Sequence, residues 1–415
     1  MSAIIDSISK KVRDESFIPF VVLLGACILV ALGSSRIIIS PLGYWLLWSA
    51  LVVTGLLDSR TAFSTLFSDK SFRALSLGFG VLVFGFVVSA LHNQDRYTLF
   101  QGVKFVFIYL AFVSVYSCSK KLADSHLIII SKITICVAFL MFSISKMFFK
   151  DWHVVLGDGR EGSKFAYPGV LWKTTIFFLG FSLIGLIKGR LALSEVAILI
   201  LSIYLLFMDS SRTGFLWGAV TSLAILIKGR PNISRRKIQW FWGGVTLVTI
   251  FLVVYSRLLN EVNGAGAAIF QRMYTVDNAR IQLLADGVER AQECFIFGCG
   301  FGSASSFIMG ENVKIHNAYI GSLADLGILG LTGLMILILQ PIKIFRSTLE
   351  WEKNVGNCDI LAWIAVMGVL GYGFTMTLHP LSSELSEWGI WIVMVSWLST
   401  LCVAKIQQAD NQRPL

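Results

Sequence analysis

The sequence predicts an all-α, polytopic integral membrane protein, and three observations lead there. Apolar runs of about 17 to 22 residues recur along the whole chain, the length a helix needs to cross a bilayer. Of the 415 residues 55% are hydrophobic and 14% charged, where soluble domains carry roughly 25% charged residues. Basic residues gather in every second connection between the apolar runs. Mean hydropathy is +0.73, and seven prolines argue against a low-complexity chain.

In chain order the runs predict about twelve spans, at 18–34, 37–57, 74–91, 101–117, 126–147, 169–187, 191–208, 214–227, 239–256, 316–339, 358–379 and 388–405. The first run is too long for a signal peptide and lacks a small-residue cleavage site, so it reads as a retained span. The basic connections hold Lys10, Lys11 and Arg13, then Arg60, Lys70 and Arg73, then Lys120 and Lys121. Lys188 and Arg190 follow, then Arg230, Arg235, Arg236 and Lys237, and last Lys343, Arg346 and Lys353. By the positive-inside rule these loops and both termini face the cytoplasm, which an even number of spans allows. With no internal repeat visible, residues 1–415 read as one membrane domain. No nucleic-acid partner is expected.

The longer connections fall on the opposite side, at 148–168 (FKDWHVVLGDGREGSKFAYPG) and at 257–315. They nevertheless carry Arg160, Arg257, Arg272, Arg280, Arg290 and Lys314. Long loops tolerate charge regardless of topology. Alternatively, arginines gather here because the guanidinium fork matches phosphate or carboxylate oxygens. Arg212 favours the second reading. FMDSSRTGFLWGAV sets it in a tight polar turn between two apolar runs, where a charge is costly without a partner or ligand.

Within the large loop, DNARIQLLADGVERAQE (277–293) spaces Ile281, Leu284 and Val288 as on one helical face, with Leu283 alongside. That predicts an amphipathic helix at the membrane surface. GCGFG then breaks the helix, and such a turn can present backbone amides to an anion. His316 and Asn317 follow, opening the apolar stretch HNAYIGSLADLGILGLTG. Imidazole is the side chain best suited to take a proton near neutral pH, and beside arginines it suggests a general base.

GCGFG, a spacer and HNAYIGSLADLGILGL together resemble the C-terminal signature of the O-antigen ligase and polysaccharide polymerase superfamily. SSRTG at 210–214 looks like its short arginine turn. NARIQLLADGVERAQECFIFGCGFG at 278–302 resembles the helix that an arginine opens ahead of the glycine turn, and GREGSKFAYP at 159–168 is a looser match. The resemblance spans most of residues 150–340. It implies a bacterial inner-membrane enzyme that works on the periplasmic face, without metal or cofactor, as an inverting C-type glycosyltransferase. The implied donor is a glycan on undecaprenyl diphosphate. The implied acceptor is a sugar hydroxyl, on lipid A core for a ligase or on another lipid-linked glycan for a polymerase. Residue by residue, His316 matches the family's histidine, Arg212 the short-turn arginine and Arg280 the helix-opening arginine. Arg272 and Arg257 are candidates for a further diphosphate contact, and Asn317 and Arg160 for acceptor or loop contacts. The large late loop inclines the reading to a ligase. Twelve spans with both ends inside are also a carrier layout, though carriers usually show repeated halves.

Other residues have plainer readings. His153 with Asp151 and Asp158 lacks metal-ligand spacing, so no metal site is expected. His379, Glu384 and Glu387 in HPLSSELSE either line the acceptor side or form a solvated loop. Lys104, Lys132, Lys146 and Lys173 near span ends are placed to snorkel toward headgroups. Cys294 and Cys299 fall on the oxidising side, where a disulfide can form. Most of the 31 Phe and 12 Trp are expected in span packing or interface belts.

Overall fold

A computed structural model describes residues 2–59, 63–156, 159–187, 193–229, 278–308, 311–355 and 360–411. The chain is a helical membrane protein. Its helices are α1 (Ser2–Ala31), α2 (Arg36–Asp58), α3 (Phe63–Ser68), α4 (Lys70–Asn93), α5 (Arg96–Ser119) and α6 (Asp124–Met147). Then come α7 (Leu171–Ser182), α8 (Ile184–Ile187), α9 (Leu193–Asp209), α10 (Arg212–Gly229), α11 (Asn278–Glu293), α12 (Ala318–Val355), α13 (Ile360–Thr375) and α14 (Leu385–Asn411).

Six of these are long and apolar enough to cross a membrane: α2, α4, α5, α6, the Ala318–Arg346 part of α12 and the Leu385–Cys402 part of α14. Ser16–Ala31 of α1 and α13 are apolar but shorter. The other predicted spans coincide with helices, except 239–256, which lies outside the described residues. The predicted span 169–187 is not one helix. It is divided at Leu183, where α7 ends after 12 residues and the four-residue α8 follows.

Polar helix ends explain several boundaries. The Asp69 carboxylate accepts from the Ser71 amide at 2.9 Å and so caps α4. Asp95 caps α5, accepting from the amides of Tyr97 at 2.9 Å and Thr98 at 3.2 Å. Each cap satisfies amides that the first helical turn leaves without an internal partner.

The last helix is the centre of the bundle. In α14, 89% of the Leu385–Cys402 window is buried, against 17% for α2 at the periphery. Trp388, Trp391 and Trp397 of α14 are fully buried, as are Trp48 of α2 and Trp172 of α7, so these five pack the core and not an interface belt. Trp391 meets Phe79 edge-on at 5.8 Å, and Trp388 meets Phe105 at 5.4 Å. Such quadrupole-matched pairs add about 0.5 to 1.5 kcal/mol each beyond area burial. Hydroxyls join the helices where lipid offers no hydrogen bonds: Tyr116 of α5 bonds Ser399 of α14, and Ser119 bonds Thr400 at 3.0 Å.

α4 and α12 pack closest because small residues face each other. A Cβ on Gly333 would lie 2.4 Å from the Leu82 amide nitrogen, and one on Gly85 would lie 2.8 Å from that of Gly330. The helices therefore touch backbone to backbone, with dispersion contact in place of a hydrophobic drive that lipid does not supply.

Among the described residues two hairpins depart from helix. β1 (His153–Val155) pairs with β2 (Glu161–Ser163), and β3 (Ser305–Ile308) pairs with β4 (Glu311–Lys314), both antiparallel. They sit in the two long connections, and the second ends two residues before His316.

Gly333→Ala should push α4 from α12 and destabilise the protein by about 2 kcal/mol or more. Thermal unfolding in detergent, followed by tryptophan fluorescence, measures this; an unchanged midpoint would show that the helices yield freely there.

Candidate functional site

Several cleft-lining residues are set by helix ends. Ser211 accepts from the Gly214 amide at 3.3 Å and so starts α10, with Arg212 as its first residue. Ser210 before it has φ +52°, a left-handed conformation that makes the reversal out of α9 tight. Asp209, fully buried, accepts from the amides of Gly169 at 2.9 Å and Trp172 at 2.8 Å. One carboxylate thus caps α7 from the neighbouring helix and fixes the 160–170 loop beside the Arg212 turn. The same loop is held to α1 and α2: the Ser34 amide donates to the Phe165 carbonyl at 2.9 Å, and the Tyr167 amide to Ser34 Oγ at 3.0 Å.

The glycine turn has an anion, but it is the protein's own. The Asp325 carboxylate of α12 accepts from the Gly302 amide at 2.9 Å, the Ala304 amide at 2.8 Å and Ser303 Oγ at 3.1 Å. Gly327 (φ +69°) kinks α12 just beyond, and the carbonyls of Ala324 and Asp325 accept instead from the amides of Cys299 at 2.9 Å and Gly300 at 3.1 Å. Gly298 (φ +74°) is indispensable here, since a Cβ would lie 2.3 Å from the Asp325 carbonyl oxygen. Across the turn, α4 and α5 contribute Ser89, whose hydroxyl donates to the Asp325 carbonyl at 2.8 Å, and Thr98, whose hydroxyl accepts from the Phe301 amide at 2.6 Å. A disulfide between Cys294 and Cys299 closes the turn.

That frame delivers His316. The Ile315 amide donates to the Ala304 carbonyl at 3.0 Å, which ties β4 to the turn. His316 Nδ1 lies 2.9 Å from the Lys314 carbonyl. A carbonyl only accepts, so Nδ1 carries the proton of the neutral ring and Nε2 is the basic nitrogen. The helix begins at Ala318, not at His316. Asn317 is its N-cap, with Oδ1 accepting from the amides of Tyr319 and Ile320, each at 3.0 Å.

A cleft of about 720 Å³ collects these pieces. Arg36, Arg160, Lys173, His316, His379 and Glu387 are among its polar lining, and Ile37, Leu216, Phe374 and Leu378 among its apolar lining. Ser211 and Thr213, on either side of Arg212, also line it. Five helices start at its rim: α2, α7, α10, α12 and α14. Their N-termini carry the positive ends of the macrodipoles. Among the described lining residues three permanent cations face one carboxylate, Glu387. The described lining thus carries more permanent positive than negative charge, with His316 among it.

The structure brings His316, Arg160 and the Arg212 turn together. Arg280 lies in the first turn of α11, and among the described residues none of α11 lines the cleft. Arg290 pairs with Glu293 at 2.9 Å on an exposed surface. Arg257 and Arg272 lie outside the described residues. α11 itself packs through Leu283 and Ala291, both buried, while Ile281, Leu284 and Val288 point outward as an exposed apolar stripe.

Lys104, Lys132, Lys146 and Lys173 do not reach for headgroups. Each pairs with a carboxylate: Glu384, Glu195, Glu161 and Glu387 respectively. Glu384 also holds Arg36 at 3.2 Å. The 379–387 segment is therefore no solvated loop, since its carboxylates neutralise cations of the bundle. His153 faces Glu161 at 3.1 Å across the first hairpin. Arg36, Lys173, Asp209 and Asp325 carried a signal in the sequence, a charge within or at the edge of an apolar run. Their partners, however, lie far away in the chain. No protein-family model and no curated protein matches the chain.

Asp325→Ala should leave two amides, one of them fully buried, and a hydroxyl without their acceptor, at a cost of about 2 to 4 kcal/mol. Hydrogen exchange should then rise at residues 300–304 before the rest of the bundle. Protection there equal to that of the unaltered protein would show the carboxylate to be dispensable.

Proposed function

We propose that the cleft moves a glycan from undecaprenyl diphosphate to a sugar hydroxyl, with lipid A core as the acceptor. One observation carries this reading: His316, whose Nδ1 is engaged by the Lys314 carbonyl, lines one cleft with Arg36, Arg160, Lys173 and the Arg212 turn. The resemblance of GCGFG…HNAYIGSLADLGILGL and SSRTG to the O-antigen ligase and polymerase superfamily supplies the substrates.

Diphosphate is a competent leaving group, and its charge grows as the bond to the anomeric carbon breaks. Fixed guanidinium groups and helix N-termini stabilise that charge without reorganising. Arg212, with Arg160, holds the diphosphate in this scheme; Arg280, Arg272 and Arg257 are the further candidates. His316 Nε2 takes the acceptor proton as the hydroxyl attacks the face opposite the leaving group, so the linkage inverts. The apolar lining of Ile37, Leu216, Phe374 and Leu378 suits a polyprenyl chain that remains in the bilayer. The site faces the periplasm of a bacterial inner membrane, with both termini cytoplasmic. The rule of basic loops inside supports this orientation, and so does the Cys294–Cys299 disulfide, because disulfides persist in oxidising compartments.

Purified protein in detergent, given undecaprenyl-diphosphate-linked glycan and lipid A core without added metal, should produce glycosylated core. His316→Ala should lower the rate about 10² to 10⁴-fold, with the fold intact by thermal unfolding. A ladder of longer lipid-linked glycans without core would make the protein a polymerase. With a working control enzyme, no product in either reaction would return the fold to the carrier reading.

A further inference from the structure

Lys173 is the most enclosed of the described cations in the cleft, with a side chain 8% exposed. It stands on α7 in the apolar stretch LWKTTIFF. Its partner Glu387 is more open, with a side chain 35% exposed. The pair is thus asymmetric: the ammonium is seated in the wall and the carboxylate lies toward the open cleft. Asp209 is the other carboxylate facing Lys173, and it is committed to the amides of Gly169 and Trp172. Glu387, by contrast, has His379 and Arg36 within Coulombic reach, the latter also paired with Glu384.

We propose that Glu387 is a displaceable internal anion, occupying on Lys173 the seat that a diphosphate group of the ligand takes. A cation this enclosed is costly without a counter-charge, and Glu387 supplies it. An entering diphosphate brings more charge and more acceptor oxygens than one carboxylate, and it outcompetes Glu387 at the ammonium. Glu387 then swings off the ammonium, still within Coulombic reach of Arg36 and beside His379. No covalent bond changes in this exchange. The device selects multiply charged ligands, because a single weak anion gains nothing by replacing Glu387. It rests on reading the cleft as a diphosphate site.

Titration calorimetry on the full-length protein in detergent tests it, with inorganic pyrophosphate and, separately, undecaprenyl diphosphate as probes. Glu387→Gln keeps the shape and removes the competitor, so at least one probe should bind at least about tenfold tighter. The double variant Lys173→Gln, Glu387→Gln removes both charges and should bind at least about tenfold more weakly than the unaltered protein. Binding to Glu387→Gln that is equal or weaker for both probes overturns the proposal, as does undiminished binding to the double variant. Should Glu387→Gln fail to fold, the double variant decides, since it leaves no unmatched charge. Tighter binding in Glu387→Gln without glycosyl transfer in any assay would sink the glycosyltransferase reading alone. Transfer with unchanged pyrophosphate and lipid affinities would sink this inference alone.

Discussion

The Asp325 carboxylate is the constraint on which the functional end of the molecule depends. A carboxylate buried in a helix that crosses the membrane is tolerable only when its oxygens are fully hydrogen-bonded. Here the donors come from the Gly302 and Ala304 amides and the Ser303 hydroxyl, in a turn some twenty residues upstream. Satisfying the charge therefore docks the turn on α12. Docking the turn orients the β3–β4 hairpin, and the hairpin places His316 at the cleft. Ser89 and Thr98 extend the same frame to α4 and α5, so the histidine is referenced to the most tightly packed part of the bundle.

A second principle organises the cleft wall. Lysines inside a helical bundle are matched one by one with carboxylates from distant segments, as Lys104 with Glu384, Lys132 with Glu195 and Lys173 with Glu387. In a medium of low dielectric an unmatched charge costs more than an ordered pair, so charges are placed in pairs or at an edge where a ligand completes them. The cleft shows the first kind, with Lys173 held by Glu387 and Arg36 by Glu384. Helix N-termini outnumber helix C-termini at its rim, and its permanent cations outnumber its carboxylates among the described residues. Apolar side chains, among them Ile37, Leu216, Phe374 and Leu378, share the lining with these charges.

Much of this was legible in the residues themselves. Apolar length and periodicity announce the helices, and turn chemistry announces their ends: SSRTG marks the α9–α10 reversal, and GCGFG the end of α11. The spacing of Ile281, Leu284 and Val288 announced α11, although Leu283 is the one of these four that it buries. Hydropathy was less informative on length. A run such as 169–187 is apolar throughout, yet it divides at Leu183, because apolar composition does not specify an unbroken helix. The two hairpins gave little local signal, being three and four residues per strand.

The sequence by itself determined the membrane class, most helix positions and the presence of charges that demand partners. It also marked His316 and Arg212 as the residues to follow. Tertiary structure decided which charges meet. That the glycine turn holds Asp325, that Asp209 caps α7 from another helix, and that Glu387 reaches Lys173 across more than two hundred residues are outcomes of packing. Periodicity and turn chemistry act over a few residues and can be read along the chain. A charge in a low-dielectric bundle takes whichever counter-charge the fold brings near, and that choice exists only once the helices are assembled.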